Sequence, residues 1–119
     1  MSVQLSIVIP CYRSEAALPE LHRRLTAALE CVEPDFEVIL VDDCGGDNTW
    51  GVIQELARKD SRIRGLKLAR NYGQHNALLC GIRAATHPII ITMDDDLQHP
   101  PEEIPLLLAK LAEGYDVVY

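Results

Sequence analysis

The run Ile89-Ile90-Ile91-Thr92-Met93, followed at once by Asp94-Asp95-Asp96-Leu97-Gln98-His99 and then Pro100-Pro101-Glu102-Glu103, sets the architecture of this chain. An apolar, β-branched run of this kind reads as a buried parallel strand, because strands covered on both faces are continuously hydrophobic. The prolines and glutamates then open a helix. Three carboxylates are therefore released together at the carboxyl end of a central strand, the place where open α/β sheets bind ligands. Packing alone does not gather three negative charges there, since their mutual repulsion is costly unless something cationic lies among them. A divalent metal carrying a substrate's phosphates is the natural solution. The bland alternative is a polar loop that happens to be acidic.

Outward from this segment, strand and helix alternate throughout. Strands are expected over residues 5–9, 36–41, 63–68 and 88–93. Between them, Ser14 can cap a helix whose apolar face is Leu18, Leu21, Leu25 and Leu29, at helical spacing. Asp47-Asn48-Thr49 opens a second helix, burying Val52, Ile53 and Leu56, and residues 74–85 form a third, with Ala77, Leu78, Gly81 and Ile82 on one side. The last helix is expected over residues 101–113, with Ile104, Leu107, Leu108 and Leu111 inward and Gly114 as its stop. Strands joined by helices imply a parallel sheet with right-handed crossovers. The expected class is α/β: one domain over residues 1–119, three layers α/β/α around a mostly parallel sheet. Asp116-Val117-Val118-Tyr119 reads as a strand that simply stops, so the chain is expected to be truncated at its C-terminus.

Composition narrows the function. The 119 residues suffice for one domain with a real core, and 48 % hydrophobic content is ordinary for a soluble globular protein. Eleven Lys and Arg against 18 Asp and Glu give a net charge of −7, which disfavours a nucleic-acid-binding surface. An anionic substrate would need local help from a metal, from backbone amides or from a few placed cations. Cys11, Cys31, Cys44 and Cys80 are widely spaced with no CxxC pair, which argues against zinc and for a reducing, cytoplasmic setting. No apolar run approaches the length of a membrane span, and no signal peptide is expected.

Four loops follow the strands. Pro10-Cys11-Tyr12-Arg13-Ser14-Glu15 lacks the glycine fingerprint of a dinucleotide cradle, but Tyr12 offers a flat face on which a base could stack. In Asp42-Asp43-Cys44-Gly45-Gly46-Asp47, the paired carboxylates can accept hydrogen bonds from a base N–H or from ribose hydroxyls. The glycines there permit a tight turn, and Asp47 reads as a helix N-cap. Ala69-Arg70-Asn71-Tyr72-Gly73-Gln74-His75-Asn76 brings cations to a helix N-terminus, where Arg70 could meet a diphosphate or simply pair with an acid; His75 reads as structural. In the acidic loop, Asp94 and Asp96 are spaced as D-x-D, which lets alternate side chains point at one ion, and Gln98 adds a neutral oxygen. Such hard donors suit Mg²⁺ or Mn²⁺.

These loops together resemble glycosyltransferase family two, of the GT-A fold, over essentially the whole chain. Ser6-Ile7-Val8-Ile9-Pro10-Cys11-Tyr12 is similar to the family's opening strand and base-binding loop. Val41-Asp42-Asp43-Cys44-Gly45-Gly46-Asp47 is similar to its V-D-D-G-S-x-D loop. The stretch from Asp94 to Glu103 resembles the D-x-D-L-Q-H-P-P-E segment of polyprenyl-phosphate sugar transferases, and Arg70-Asn71-Tyr72-Gly73-Gln74-His75 a segment of their undecaprenyl-phosphate branch. That branch includes bactoprenol glucosyltransferases and the aminoarabinose transferase of lipid A modification, with dolichol-phosphate mannose synthases as close relatives.

The resemblance implies an inverting transferase that takes a sugar from a UDP- or GDP-linked donor to a polyprenyl phosphate. Pro10 and Tyr12 would line the base, Asp42 and Asp43 would contact base or ribose, and Asp94, Asp96 and Gln98 would hold the metal and diphosphate. Asp95 belongs to the same donor-binding segment, but it stands where relatives often have alanine, which makes its carboxylate a bystander to the metal. Two departures stand out: the family's glutamate two residues after the tyrosine is here Ser14, with Glu15 one place late in that nucleotide-contacting role, and the usual G-S after the paired aspartates is Cys44-Gly45. Acceptor-side catalytic residues and any membrane segments would lie beyond Tyr119, so this chain alone would be inactive. The full-length protein would work at the cytoplasmic face of the inner membrane, and a homo-oligomer is compatible with it. Two alternatives stay open: a standalone nucleotide-sugar-binding module, and a receiver-type signalling domain phosphorylated on Asp42 or Asp43.

Overall fold

Strands β1 (Gln4–Cys11), β2 (Asp35–Asp42), β3 (Ile63–Lys67) and β4 (Ile89–Thr92) form one parallel sheet in the order β3-β2-β1-β4. The computed structural model describes residues 4–30, 35–95 and 101–112. Helices α1 (Leu18–Glu30), α2 (Thr49–Lys59) and α3 (Gln74–Ala84) join the strands, and a 3-10 turn over Pro101–Glu103 leads into α4 (Ile104–Ala112). No helix among the described residues is long and apolar enough to cross a membrane.

The side-chain alternation of the strands sorts the core into two layers. Leu5, Ile7, Ile9 and Cys11 of β1 face α1 and α2 together with Phe36, Val38 and Leu40 of β2. Val8, Ile39 and Val41 point the other way, onto Ala77 of α3. Helix α1 buries Leu18, Leu21, Leu25, Ala28 and Leu29, the expected stripe. Each such leucine contributes about 1.5–3 kcal/mol of burial. On the opposite face α3 lies unusually close: a Cβ on Gly81 would come within 2.3 Å of Val8 Cγ1 and 3.1 Å of Val41 Cγ2, so this contact requires glycine.

Handedness explains the layers. The path β1-α1-β2-α2-β3 steps outward in one direction with its helices on one face. From β3 the chain must return across the sheet to reach the far side of β1. A right-handed crossover in the reverse direction puts its helix, α3, on the other face. The direction of travel therefore reverses between β1 and β4.

The expected elements are present, with shifted ends, but β4, expected as a buried central strand, is the edge strand of the described sheet: among the described residues only β1 pairs with it, and Ile90 is left 40 % exposed. Strand β1 runs two residues further than expected, because β2 continues to pair with it through Cys11↔Asp42. The last helix begins as a 3-10 turn, and α4 proper starts at Ile104. Pro105 then occupies its second position, where an N–H has no intrahelical partner to lose. Ser14 does not cap α1 with its side chain; its carbonyl accepts from Ala17 N (3.0 Å) and Leu18 N (3.1 Å). The expected stop at Gly114 and the strand at 116–119 lie outside the described residues.

At the amino edge of the sheet, Glu37 is a buried hub. Its carboxylate accepts from Ser6 Oγ (2.6 Å), Thr86 N (2.7 Å), Thr86 Oγ1 (2.7 Å) and Arg64 Nη1 (2.9 Å), tying the α3–β4 connection to β1 and β2. Burial acts to raise its pKa, but the donors from Ser6, Thr86 and Arg64 outweigh it and bring the value from 4.5 down to about 2. A depressed carboxylate stabilises the fold above its unfolded pKa and stops doing so as pH falls through the folded one. Glu37 should therefore contribute roughly 2–3 kcal/mol at neutral pH, lost between about pH 4.5 and 2. Denaturant unfolding across that range should show Glu37→Gln less stable at pH 7 and with a flatter acid limb. Identical acid limbs in the two proteins would contradict this role.

Candidate active site

The crevice forms because β1 is paired unequally on its two sides. Its ladder to β2 runs to Cys11↔Asp42, whereas its ladder to β4 ends at Val8↔Thr92. Met93 N to Val8 O, at 3.1 Å, is the last backbone bond across the gap. Pro10 lies in phase with Val8, so the N–H that proline lacks is one that would face β4 just past the ladder's end. The β1 and β4 loops consequently part at a topological switch point, the position where open α/β sheets take ligands.

A cleft of about 330 Å³ opens there. One wall is the end of β1, with Pro10, Cys11 and Tyr12; Asp43 follows from β2, Asn71, Gly73 and Gln74 from the β3–α3 loop, and Asp94 and Asp95 from β4. Asp94 Oδ1 accepts from Gln74 Nε2 at 2.8 Å. Asp95 Oδ2 accepts from Tyr12 N at 3.1 Å and from the Ser14 hydroxyl. Asp43 is buried; its N–H donates to Cys11 O (2.9 Å) and its Oδ1 accepts from Tyr72 N (3.0 Å), so it holds the β3–α3 loop against the end of β1.

The expected site residues separate into two groups. Pro10, Tyr12, Asp43, Asp94 and Asp95 border the cleft; Glu15, Asp42 and Arg70 do not. Asp42 is buried and turned back on its own loop, accepting from Cys44 N at 3.1 Å, and burial raises its pKa. Cys44 there adopts φ +58°, in the left-handed region. Glu15 accepts from Asn48 N (3.1 Å), which makes it a brace to the start of α2. The Arg70 guanidinium lies 5.4 Å from the Tyr72 ring centroid and pairs with no acid among the described residues. Tyr12 keeps 45 % of its surface exposed at the cleft, with the Arg13 guanidinium 5.2 Å from its ring. Arg13 Nε in turn donates to Gly45 O at 3.0 Å, and a Cβ on Gly45 would come within 2.8 Å of Arg13 Cγ, so glycine lets the β1 and β2 loops touch.

Electrostatics gives the cleft its character. Asp43, Asp94 and Asp95 have only neutral donors as partners, and no cation lies within ion-pair distance of them among the described residues. Burial, then the charges of Asp95 and Asp42, push the Cys11 thiol far above its ordinary pKa, so it is an inert wall. The described residues alone contain no group of three or more His, Cys, Asp or Glu placed to hold a metal ion. Two of the three expected ligands, Asp96 and Gln98, lie outside the described residues. Asp94, the third, stands at the mouth of the cleft with a hard oxygen donor set, which fits a hard divalent cation.

Residues 6–119 match the family described as Glycosyl transferase family 2. The chain belongs to this family. Among curated proteins it is 49 % identical, over 116 residues, to the undecaprenyl-phosphate 4-deoxy-4-formamido-L-arabinose transferase of Enterobacter sp. (strain 638), spanning 97 % of this chain and 36 % of that one. Among solved structures it is similar to the mannosyltransferase PcManGT from Pyrobaculum calidifontis in complex with GDP-Man and Mn²⁺, with TM-score 0.81 and 19 % identity over 96 % of this chain and 34 % of that one. It is also similar to glucosyl-3-phosphoglycerate synthase from Mycobacterium tuberculosis in complex with Mn²⁺, UDP and phosphoglyceric acid, with TM-score 0.71 and 22 % identity over 97 % of this chain and 41 % of that one. These neighbours are GT-A glycosyltransferases, which establishes the fold; the chain spans little more than a third of the lengths it matches. Membership sets aside the receiver-type alternative.

Sequence reading passed over Cys11, Asn71, Gly73 and Gln74 as cleft residues. The usable signal was Gly73-Gln74 at the expected start of the third helix, since a glycine there permits a turn such as the φ of +93° that Gly73 adopts. Asp47 is not the N-cap expected of it: Asn48 takes that position with no side-chain cap bond, and Asp47, one residue earlier, accepts from Thr49 N (3.1 Å) and Thr49 Oγ1 (2.6 Å), while Thr49 Oγ1 accepts from Ser14 N (2.9 Å). Asp47→Ala should therefore cost about 1–2 kcal/mol of stability, the scale of lost hydrogen bonds to a charged acceptor. Denaturant unfolding measures it; a loss below a few tenths of a kcal/mol would contradict this role of the Asp47 carboxylate.

Proposed function

We propose that this chain is the donor-binding part of a glycosyltransferase that moves a sugar, with inversion, from a UDP- or GDP-linked donor to a polyprenyl phosphate. The observation that carries the reading is the acidic, cation-poor cleft at the β1/β4 switch point, bordered by an exposed Tyr12. The acceptor class rests on the 49 % identity to an undecaprenyl-phosphate sugar transferase. Because polyprenyl phosphates are membrane lipids, the full-length protein would act at the cytoplasmic face of the inner membrane. Acceptor-side groups would come from chain outside these residues, so this stretch alone would bind donor without turning it over.

In this reading each cleft residue has a role. Tyr12 offers its ring face to the base, and Pro10 keeps the β1 edge open beside it. Asp43 accepts from base or ribose donors. Asn71, Gly73 and Gln74 carry the start of α3, whose backbone N–H groups favour phosphate. Gln74 holds Asp94 in place through its amide. Asp94, with Asp96 and Gln98, would hold Mg²⁺ or Mn²⁺. Bound there, the ion would neutralise charge developing on the departing diphosphate.

Calorimetric titration of the full-length protein with UDP and GDP, with and without Mn²⁺, tests the reading. Asp96→Asn should weaken Mn²⁺-dependent nucleotide binding by roughly 1–3 kcal/mol, the scale of one charge-assisted contact. Binding without metal should change little. Failure of the unsubstituted protein to bind either nucleotide would refute the donor-site assignment, and an equal loss with and without Mn²⁺ would refute the metal role of Asp96.

A further inference from the structure

The β1 loop leaves the sheet with an open bonding problem. Tyr12 is in phase with Val8 and Pro10, so its N–H points to the β4 side, where the ladder has already ended. Asp95 reaches back from the β4 loop and accepts that N–H at 3.1 Å through Oδ2. The same oxygen accepts from the hydroxyl of Ser14, a buried residue. One carboxylate thus satisfies a backbone donor and a buried side-chain donor on the same loop. The other contacts of this loop reach the β2 loop and the start of α2 instead: Ser14 N donates to Thr49 Oγ1, Arg13, with φ +52°, reaches Gly45 O, and Glu15 accepts from Asn48 N and donates its N–H to Asp47.

We infer that Asp95 is a positioning residue that latches the β4 loop to the β1 loop and fixes Tyr12 at the cleft, and that Ser14 and Asp95 form a coupled pair in which a single carboxylate, carried by either loop, serves the junction. This rests on the donor-site reading above only for its functional readout; the latch itself is a matter of geometry. Asp95 acts through Tyr12 rather than on the metal. Removing its carboxylate leaves the Tyr12 N–H and the Ser14 hydroxyl without their acceptor. Adding a carboxylate at position 14 while Asp95 remains crowds two like charges into the same space. The two changes are each harmful and together compensatory, a pattern that a merely acidic loop does not produce.

The test is a cycle of Asp95→Ala, Ser14→Glu and the double variant in the full-length protein. Two readouts apply: hydrogen exchange of the Tyr12 amide, and the Kd for UDP and GDP with and without Mn²⁺. Asp95→Ala should speed Tyr12 amide exchange and weaken nucleotide binding about tenfold or more, by a similar factor with and without Mn²⁺. Ser14→Glu alone should also weaken binding, and the double variant should recover most of the loss. Unchanged Tyr12 exchange in Asp95→Ala would overturn the latch. A double variant no better than the worse single one would overturn the coupling. If the unsubstituted protein bound no nucleotide, the donor-site reading would fall, while Tyr12 exchange would still decide the latch.

Discussion

Strand β1 is held by β2 through Cys11 but by β4 only as far as Val8, and the rest of the molecule's chemistry depends on that inequality. Full pairing on both sides would close the sheet edge to edge. Early termination on one side leaves a crevice into which backbone and side chains of four loops turn. Pro10 makes the early end tolerable, since it has no N–H to leave unsatisfied toward β4. The reversal of chain direction between β1 and β4 puts that crevice at a switch point, and α3, forced to the opposite face by crossover handedness, brings its first turn to the same end of the sheet.

The distribution of paired and unpaired acids separates structure from function. Away from the cleft, two acids have cations: buried Glu37 bonds Arg64, and half-buried Asp60 is held far below the ordinary carboxylate range, first by Arg62 and then by His22. At the cleft, Asp43, Asp94 and Asp95 are organised only by amides and a hydroxyl. Neutral donors orient a carboxylate without cancelling its charge. The cleft thus keeps a negative field that a divalent ion would complement. Arg70, outside the cleft lining, lies against the Tyr72 ring and pairs with no acid among the described residues.

Much of the fold was legible in the sequence because its signals are periodic and local. The leucine stripe of α1 and the apolar runs of β1 and β2 gave elements, type and order. Element ends were less legible, since they depend on neighbours: β1 extends because β2 accompanies it, and α4 starts late around Pro105. The site was legible as a set of loops but not as a set of directions. Asp42 is the last residue of β2 and Asp43 the first beyond it; Asp42 turns back to Cys44 N, and only Asp43 reaches the cleft. Asp95 reads as a bystander when only the metal is considered, yet it carries the contact between two loops 81 residues apart in sequence. No local pattern encodes such a contact.

The central claim is that the β1/β4 cleft receives a nucleotide diphosphate together with a divalent ion. Paramagnetic broadening of amide NMR signals by substoichiometric Mn²⁺, with UDP or GDP present, tests it most directly. The account predicts selective loss of the signals of Tyr12, Asp43, Gly73, Gln74 and Asp94, with those of the Glu37 hub at the far edge of the sheet unaffected. Broadening centred on the exposed acids of the helices, such as Glu20 and Glu55, with the cleft signals intact, would contradict it.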